Sequence, residues 1–331
     1  MNFVTGATGL LGSHIVEQLV AAGKPVRALV RPDSDTRLLD TWQVEKALGD
    51  VSDVDSLRRA MKGATGVYHV AAQVGDWGPW ERFVAVTIEG TRNMLAAARE
   101  EGVERFLHVS SISAYGHPDG EGLVLDESAP LGVNLHKWSY YSRAKVEAEK
   151  LVWAAHGAGD VPVTVVKPSW LYGPRDRASM PRLIRAIRAG KAKLLGDGSN
   201  RLNLTYAGNE AEGAILAANN EKAVGQAYNL AGDGTITQRE YLNKIAECLG
   251  CKPVTKTVPY KVARSAAFLM ELAGHALRRK TPPLVTRYSV WLIGRKCFFS
   301  SEKARKELGW QPTVGYDEGI RRAVEWSLAN A

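Results

Sequence analysis

Tyr141 and Lys145 stand four residues apart, a spacing that puts a phenol and an ammonium on one face of a helix. A lysine cation beside a tyrosine favours the phenolate, which brings the phenol toward the range where it can exchange a proton with a substrate oxygen. Tyr140, five residues from Lys145, faces elsewhere. Ordinary helix surfaces carry such pairs too, so the neighbouring motifs decide their weight. Upstream, His108-Val109-Ser110-Ser111 sets two hydroxyls at the end of a β-branched run, where ligands bind in parallel sheets. Ser111 reads as a contact for a carbonyl or hydroxyl oxygen, and Ser110 as the better candidate for a simple turn cap.

A second constellation opens the chain. Thr5-Gly6-Ala7-Thr8-Gly9-Leu10-Leu11-Gly12 lies between a strand-like and a helix-like run. Turn glycines in that setting let backbone N–H groups approach a pyrophosphate at the positive helix end. The spacing is Gly-x-x-Gly-x-x-Gly, not the commoner Gly-x-Gly-x-x-Gly. The next strand ends at Val30 without the acid that often holds ribose hydroxyls, and Arg31 follows. An arginine pairs with a 2′-phosphate that an acid would repel, so NADP(H) is favoured over NAD(H). Asp33 and Asp35 stay as ribose partners for the other case, and a solvated surface charge is the plain alternative for Arg31.

The elements that must position these residues alternate. β-Branched runs at 2–5, 25–30, 44–47, 66–70, 105–109 and 162–166 read as strands, and amphipathic runs at 10–22, 53–61, 81–101 and 139–155 as helices. Right-handed crossovers between such units predict an α/β fold, a doubly wound parallel (Rossmann) sheet. After Pro168 the pattern loosens into a smaller, mostly helical substrate domain over 169–331. The helix-like run at 207–219 and strand-like run at 227–230 predict one return to the large sheet, within 205–232.

Composition excludes several classes. The 331 residues are 45% apolar and 24% charged, which excludes disorder and small disulfide scaffolds. Cys248, Cys251 and Cys297 read as free thiols in a reducing, cytoplasmic setting, and one Cys-x-x-Cys pair does not complete a metal shell. The glycine loop begins too early to leave room for a signal peptide. The apolar run 262–277 is too short and too charged to span a bilayer. Net charge is +8, but from Cys251 onward 15 basic residues stand against 6 acidic ones, while the preceding part holds 28 against 29. No aromatic-interleaved basic groove supports nucleic-acid binding.

Five motifs in order now carry a resemblance: the loop from Thr5 to Gly12, Ser111 ahead of Tyr115-Gly116, Tyr141-x-x-x-Lys145, Lys167-Pro168 through Gly173-Pro174, and Ser300-Ser301-Glu302-Lys303 through Gly309-Trp310. Together the chain resembles an extended short-chain dehydrogenase/reductase over nearly its whole length. Val74 through Trp80, Gly196 through Asn209 and Pro282 through Arg287 resemble the 3β-hydroxysteroid dehydrogenase-like branch. The resemblance implies Tyr141 as acid/base, Lys145 on the nicotinamide ribose and Ser111 on the substrate oxygen. It further implies Asp50 and Val51 beside the adenine, Ala71 and Ala72 along the cofactor path, Pro168 near the nicotinamide, and a homodimer built on 81–101 and 139–155. Two positions depart: Thr87 stands where the family has Asn, which puts a proton relay or helix kink there in doubt, and Lys167 replaces an Arg.

These readings imply an NAD(P)-dependent oxidoreductase interconverting a secondary alcohol and a ketone on a small-molecule, steroid-like or β-keto/β-hydroxy substrate, with apolar 262–277 and 284–293 as a lid. A nucleotide-sugar 4-epimerase or dehydratase is the alternative, with Arg182, Arg185, Arg188 and Arg201 as diphosphate ligands. A non-catalytic NAD(P)-sensing protein is a third. Arg264, Arg278, Arg279, Lys280, Arg287, Arg295 and Lys296 flank the apolar runs, as a membrane-surface contact or a solvated basic face.

Overall fold

The computed structural model describes residues 1–330. Seven strands form one parallel sheet: β1 (Asn2–Thr5), β2 (Val26–Val30), β3 (Glu45–Leu48), β4 (Gly66–His69), β5 (Arg105–Val109), β6 (Val163–Pro168) and β7 (Ala227–Leu230). Their order across the sheet is β7-β6-β5-β4-β1-β2-β3. The polarity of the order reverses between β1 and β4, which is where such sheets open a crevice for a nucleotide. Six helices bear on the site: α1 (Leu10–Ala21), α2 (Gly90–Glu101), α3 (Tyr140–Gly157), α4 (Ala207–Asn219), α5 (Tyr260–Ala276) and α6 (Arg287–Gly294).

Central parallel strands are covered on both faces, so successive residues serve two cores. In β1, Phe3 packs with Leu57, Met94 and Val152, while Val4 packs with Ile15, Leu19 and Ala214. A third core, around Tyr172, Ile184, Leu204, Tyr241 and Ile320, holds the part beyond the sheet. There, Trp170–Tyr172 pairs with Leu204–Tyr206, Leu194–Leu195 with Thr257–Val258, and Phe298–Phe299 with Val124–Leu125.

The expected strands are present with ends shifted by one or two residues at most, and the return to the sheet is β7, paired with β6. The expected single helix at 81–101 is a correction. It is an α-turn at Trp80–Phe83, a π-helix at Val84–Glu89, and then α2. In the wider π turn Thr87 holds the loop after strand β4: its Oγ1 accepts from Gln73 N at 2.9 Å, and its carbonyl accepts from Thr91 Oγ1 at 2.6 Å.

The C-terminal Gly309-Trp310 motif locks the sheet from outside. Trp310 is fully buried, and its indole donates to the Asn209 carbonyl at 2.9 Å on α4. Replacing Trp310 with Ala should cost about 3–5 kcal/mol of stability, read as a lower denaturant midpoint; an unchanged midpoint would contradict this packing role.

Candidate active site

The glycine loop is built by close approach. Gly6 has a φ of +68°, and a Cβ there would lie 3.0 Å from Ala71 N. A Cβ on Gly12 would fall 2.1 Å from the Gly6 carbonyl, so only glycine lets α1 begin this close to β1. Gly9 N donates back to Gly6 O at 2.9 Å, closing the turn around Ala7 and Thr8. Helix α1 then starts at Leu10 and Leu11 with no side-chain cap and no acid in its first turn. Its leading amides and positive dipole end are available to an anion, and this donor set fits a cofactor pyrophosphate.

Thr5 ties this loop to its neighbour. Its Oγ1 accepts from both Val70 N and Ala71 N at 3.1 Å, setting Ala71 and Ala72 opposite the glycines. His69 continues the network, joining Thr5 Oγ1 and Thr91 Oγ1 at 3.0 Å each. Burial, aided by the Lys145 charge, pushes His69 down to about 3, so it stays neutral and bridges the two hydroxyls.

Along the crevice, Asp50 sits past β3, its carboxylate accepting from Ser52 N at 2.9 Å and Ser52 Oγ at 2.7 Å. Val51 is buried against Gly90, and its carbonyl accepts from Asn93 at 2.9 Å. Arg31 follows β2 with its side chain 56% exposed and Nε 3.2 Å from Asp33. Asp35 is engaged by Arg37 at 2.8 Å and Arg177 at 3.0 Å.

Helix α3 and strand β5 bring the reactive groups together. Lys145 is buried, and its ammonium donates to the Val109 carbonyl at 2.7 Å. An ammonium has three donors, so this bond leaves capacity for a ribose hydroxyl. Burial pushes Lys145 down to about 8, with the Glu149 carboxylate opposing that fall from one turn further along α3. Burial raises the Tyr141 phenol, and the Ser111 hydroxyl pulls it back down. Tyr140 turns away, packing on Trp80 and Phe83.

The turn cap falls to Ser111 and not to Ser110. Ser111 Oγ caps the turn, accepting from Ser113 N at 3.1 Å, while Ser110 donates to Glu149 at 2.5 Å. Glu149 also meets the Lys167 ammonium at 2.9 Å, with both side chains almost wholly buried. Lys167 lies 4.3 Å from the Tyr115 ring centroid, and Pro168 follows it at the end of β6. Lysine thus fills the position where the family pattern has arginine, as the partner of a buried carboxylate.

The far wall comes from the C-terminal part. Tyr288, on α6, hydrogen-bonds Ser113 at 2.9 Å and lies 6.2 Å from the Tyr141 ring. Trp138 stacks with His275 and Phe268 of α5, and Trp77 packs on the same His275. Ser113 and Trp138 carried no sequence signal that separated them from core residues, and Trp77 only its place in the 74–80 motif; the register of α5 against the 71–79 loop unites them.

Two expected basic-rim residues are not on the surface. Arg287 pairs with Glu271 at 2.6 Å. Arg295 is 1% exposed, its guanidinium 4.4 Å from the Trp291 ring centroid and 5.2 Å from that of Phe299. Planar guanidinium stacks on aromatic faces, while its three buried nitrogens have no hydrogen-bond partner among the described residues. Arg182, Arg185 and Arg188 are exposed on their helix, and Arg201 is held by Thr235 at 2.6 Å.

The model of the NAD dependent epimerase/dehydratase family matches residues 2–231. The chain belongs to that family. It is an enzyme of the extended short-chain dehydrogenase/reductase type, and its family is NAD-dependent. It is 33% identical over 320 residues to a 4-hydroxy-2-methyl-3-oxo-4-farnesyl-3,4-dihydroquinoline-1-oxide ketoreductase of Stigmatella aurantiaca, covering 96% of this chain and 94% of that one. It is 32% identical over 333 residues to a 2-alkyl-3-oxoalkanoate reductase of Stenotrophomonas maltophilia (strain K279a), covering 98% and 99%. A decarboxylating sterol-4-alpha-carboxylate 3-dehydrogenase of Mus musculus is 30% identical over 331 residues, covering 97% and 89%. Among solved structures, gox2253 is 30% identical with a TM-score of 0.83, covering 100% of this chain and 98% of that one. A Bacillus cereus UDP-glucuronic acid 4-epimerase in complex with NAD shares the fold at 21% identity and a TM-score of 0.77, covering 99% of each.

Glu149 raises Lys145, so Glu149→Gln should let the ammonium lose its proton at lower pH. The alkaline limb of the pH–kcat/KM profile for carbonyl reduction should move to lower pH, and an unmoved limb would remove Glu149 from the tuning of this site.

Proposed function

We propose that the protein is a ketone reductase, running as an alcohol dehydrogenase in reverse, whose substrate is hydrophobic and of the 3-oxo or β-keto/β-hydroxy kind. The observation that carries this reading is the wall facing Tyr141. Tyr288 lies 6.2 Å from the Tyr141 ring with Trp291 against it, and Trp138 and Phe268 stack on the Tyr140 side with the Arg287 guanidinium over both rings, a largely aromatic surface that suits a lipid-like ketone. The exposed Arg182, Arg185 and Arg188 speak against a chamber for a nucleotide-sugar diphosphate. The relatives named as reductases of 3-oxo compounds support the same substrate class.

When bound, a nicotinamide would supply the hydride that the carbonyl carbon accepts. Tyr141 would give its proton to the carbonyl oxygen, with Ser111 orienting that oxygen and Lys145 holding the ribose and favouring the phenolate left behind. Gly6, Thr8, Gly9, Leu10, Leu11 and Gly12 bind the pyrophosphate, Asp50 and Val51 flank the adenine, and Ala71, Ala72 and Pro168 line the path to the nicotinamide. Residues 1–168 with 205–232 form the cofactor part and the rest of 169–331 the substrate part. The exposed Arg31 favours NADP(H), since only the weak, solvent-facing Asp33 contact competes for it. The setting is cytoplasmic, and the assembly a homodimer through α2 and α3.

Incubation with NADPH against ketosteroids, 3-oxo acyl compounds and nucleotide sugars tests the reading. Net NADPH consumption with a ketone is expected; sugar isomerisation without net consumption would assign the epimerase chemistry instead. Tyr141→Phe should lower turnover by roughly 10²–10⁴-fold while NADPH binding, followed by fluorescence titration, stays intact. Arg31→Glu should weaken NADPH by roughly 10–100-fold and leave NADH nearly unchanged; equal losses for both would reject a 2′-phosphate contact.

A further inference from the structure

Helix α5 has a face that water does not suit. Its inner side packs on the site: a Cβ on Gly274 would lie 2.7 Å from the Trp77 ring, Glu271 is buried against Arg287, and His275 stacks with Trp138. The opposite stripe runs Val262, Ser265, Leu269, Leu272 and Ala276, all exposed and spaced three or four residues apart. Val262 is 56% exposed and Leu269 62%, and just beyond the helix Leu277 is 66% and Leu284 92%. Large aliphatic side chains gathered on one helix face mark an interaction surface, whereas scattered ones do not.

The charge around this stripe has one sign. Lys261, Arg278, Arg279 and Lys280 are all exposed, and among the described residues none of them forms a salt bridge; Arg264, also exposed, lies on the inner line of the helix toward His136. From Pro259 to Lys296 the only acid is Glu271, which points inward. A second copy seated on this face about a two-fold axis would set each cation cluster against its own image. An anionic lipid surface meets both requirements, accepting the aliphatic stripe at the acyl boundary and the cations at the headgroups.

We propose that the outer face of α5, with the 277–284 loop, docks the protein on an anionic lipid bilayer. The helix that roofs the candidate site is then the part that touches the lipid, and a membrane-dissolved substrate reaches Tyr141 beneath it. Docking needs no particular reaction, so it goes beyond the reductase reading and stands or falls separately from it.

Flotation of the full chain with vesicles tests this directly. Association is expected with mixed phosphatidylcholine–phosphatidylglycerol vesicles, little with phosphatidylcholine alone, and less as salt is raised. Arg278→Glu, Arg279→Glu and Lys280→Glu together should weaken association by roughly 100-fold or more. Leu269→Glu alone should weaken it by about tenfold. Unchanged thermal melting shows that each variant is folded. Absence of flotation, equal flotation on both vesicle types, or variants that float like the parent would overturn the proposal. So would a dimer in sedimentation that Leu269→Glu dissociates, because it assigns the face to self-association.

Discussion

The bond from the Lys145 ammonium to the Val109 carbonyl joins helix α3 to the end of strand β5, and the geometry of the candidate site follows from it. Burying an ammonium is costly unless it is hydrogen-bonded, so the bond cannot be loosened without exposing or neutralising the lysine. The same helix carries Tyr141 one turn earlier and Glu149 one turn later. Fixing Lys145 therefore fixes the phenol above it and the carboxylate below it. Glu149 in turn gathers Ser110, Trp153 and Lys167, so strand β6 is tied to the same helix. One helix register thereby sets the Tyr141 phenol, the Lys145 ammonium and the strand end at Pro168.

On the cofactor side the constraint is steric. Gly6 and Gly12 admit α1 to within contact of the first turn, and Thr5 bonds to two amides after β4. Two strands and a helix start thus converge on one crevice, with the amides after β4 spent on Thr5 and the first-turn amides of α1 left uncapped. The chemistry there is that of backbone donors, with Arg31 as an exposed charge at the rim.

The sheet was legible because β-branched runs alternate with amphipathic ones at lengths that only a doubly wound topology accommodates, and even the late strand at 227–230 showed itself by pattern. The glycine loop, Tyr141 and Lys145 were legible because their chemistry depends on fixed spacing. Three features were not. Nothing in the residue types separates Ser110 from Ser111, since which hydroxyl caps the turn depends on the strand's twist and on Glu149, 39 residues away. Arg287 and Arg295 read as surface charges because counting cannot reveal that one meets Glu271 and the other lies between two aromatic rings. The wall of Trp77, Trp138, His275 and Tyr288 joins four distant segments, and no local period encodes such a meeting.

The π-helix at Val84–Glu89 holds one residue more than an α-turn would. Each residue of an α-helix advances the side-chain direction by about 100°, so the segment works as a phase slip between two rigid rods. Before it, Trp80 and Phe83 aim at Tyr140; after it, Met94 and Leu95 aim at the sheet. The Trp80 and Phe83 rings can therefore be re-aimed by changing the slip alone. The sheet would keep its packing, and one sheet could serve differently shaped pockets.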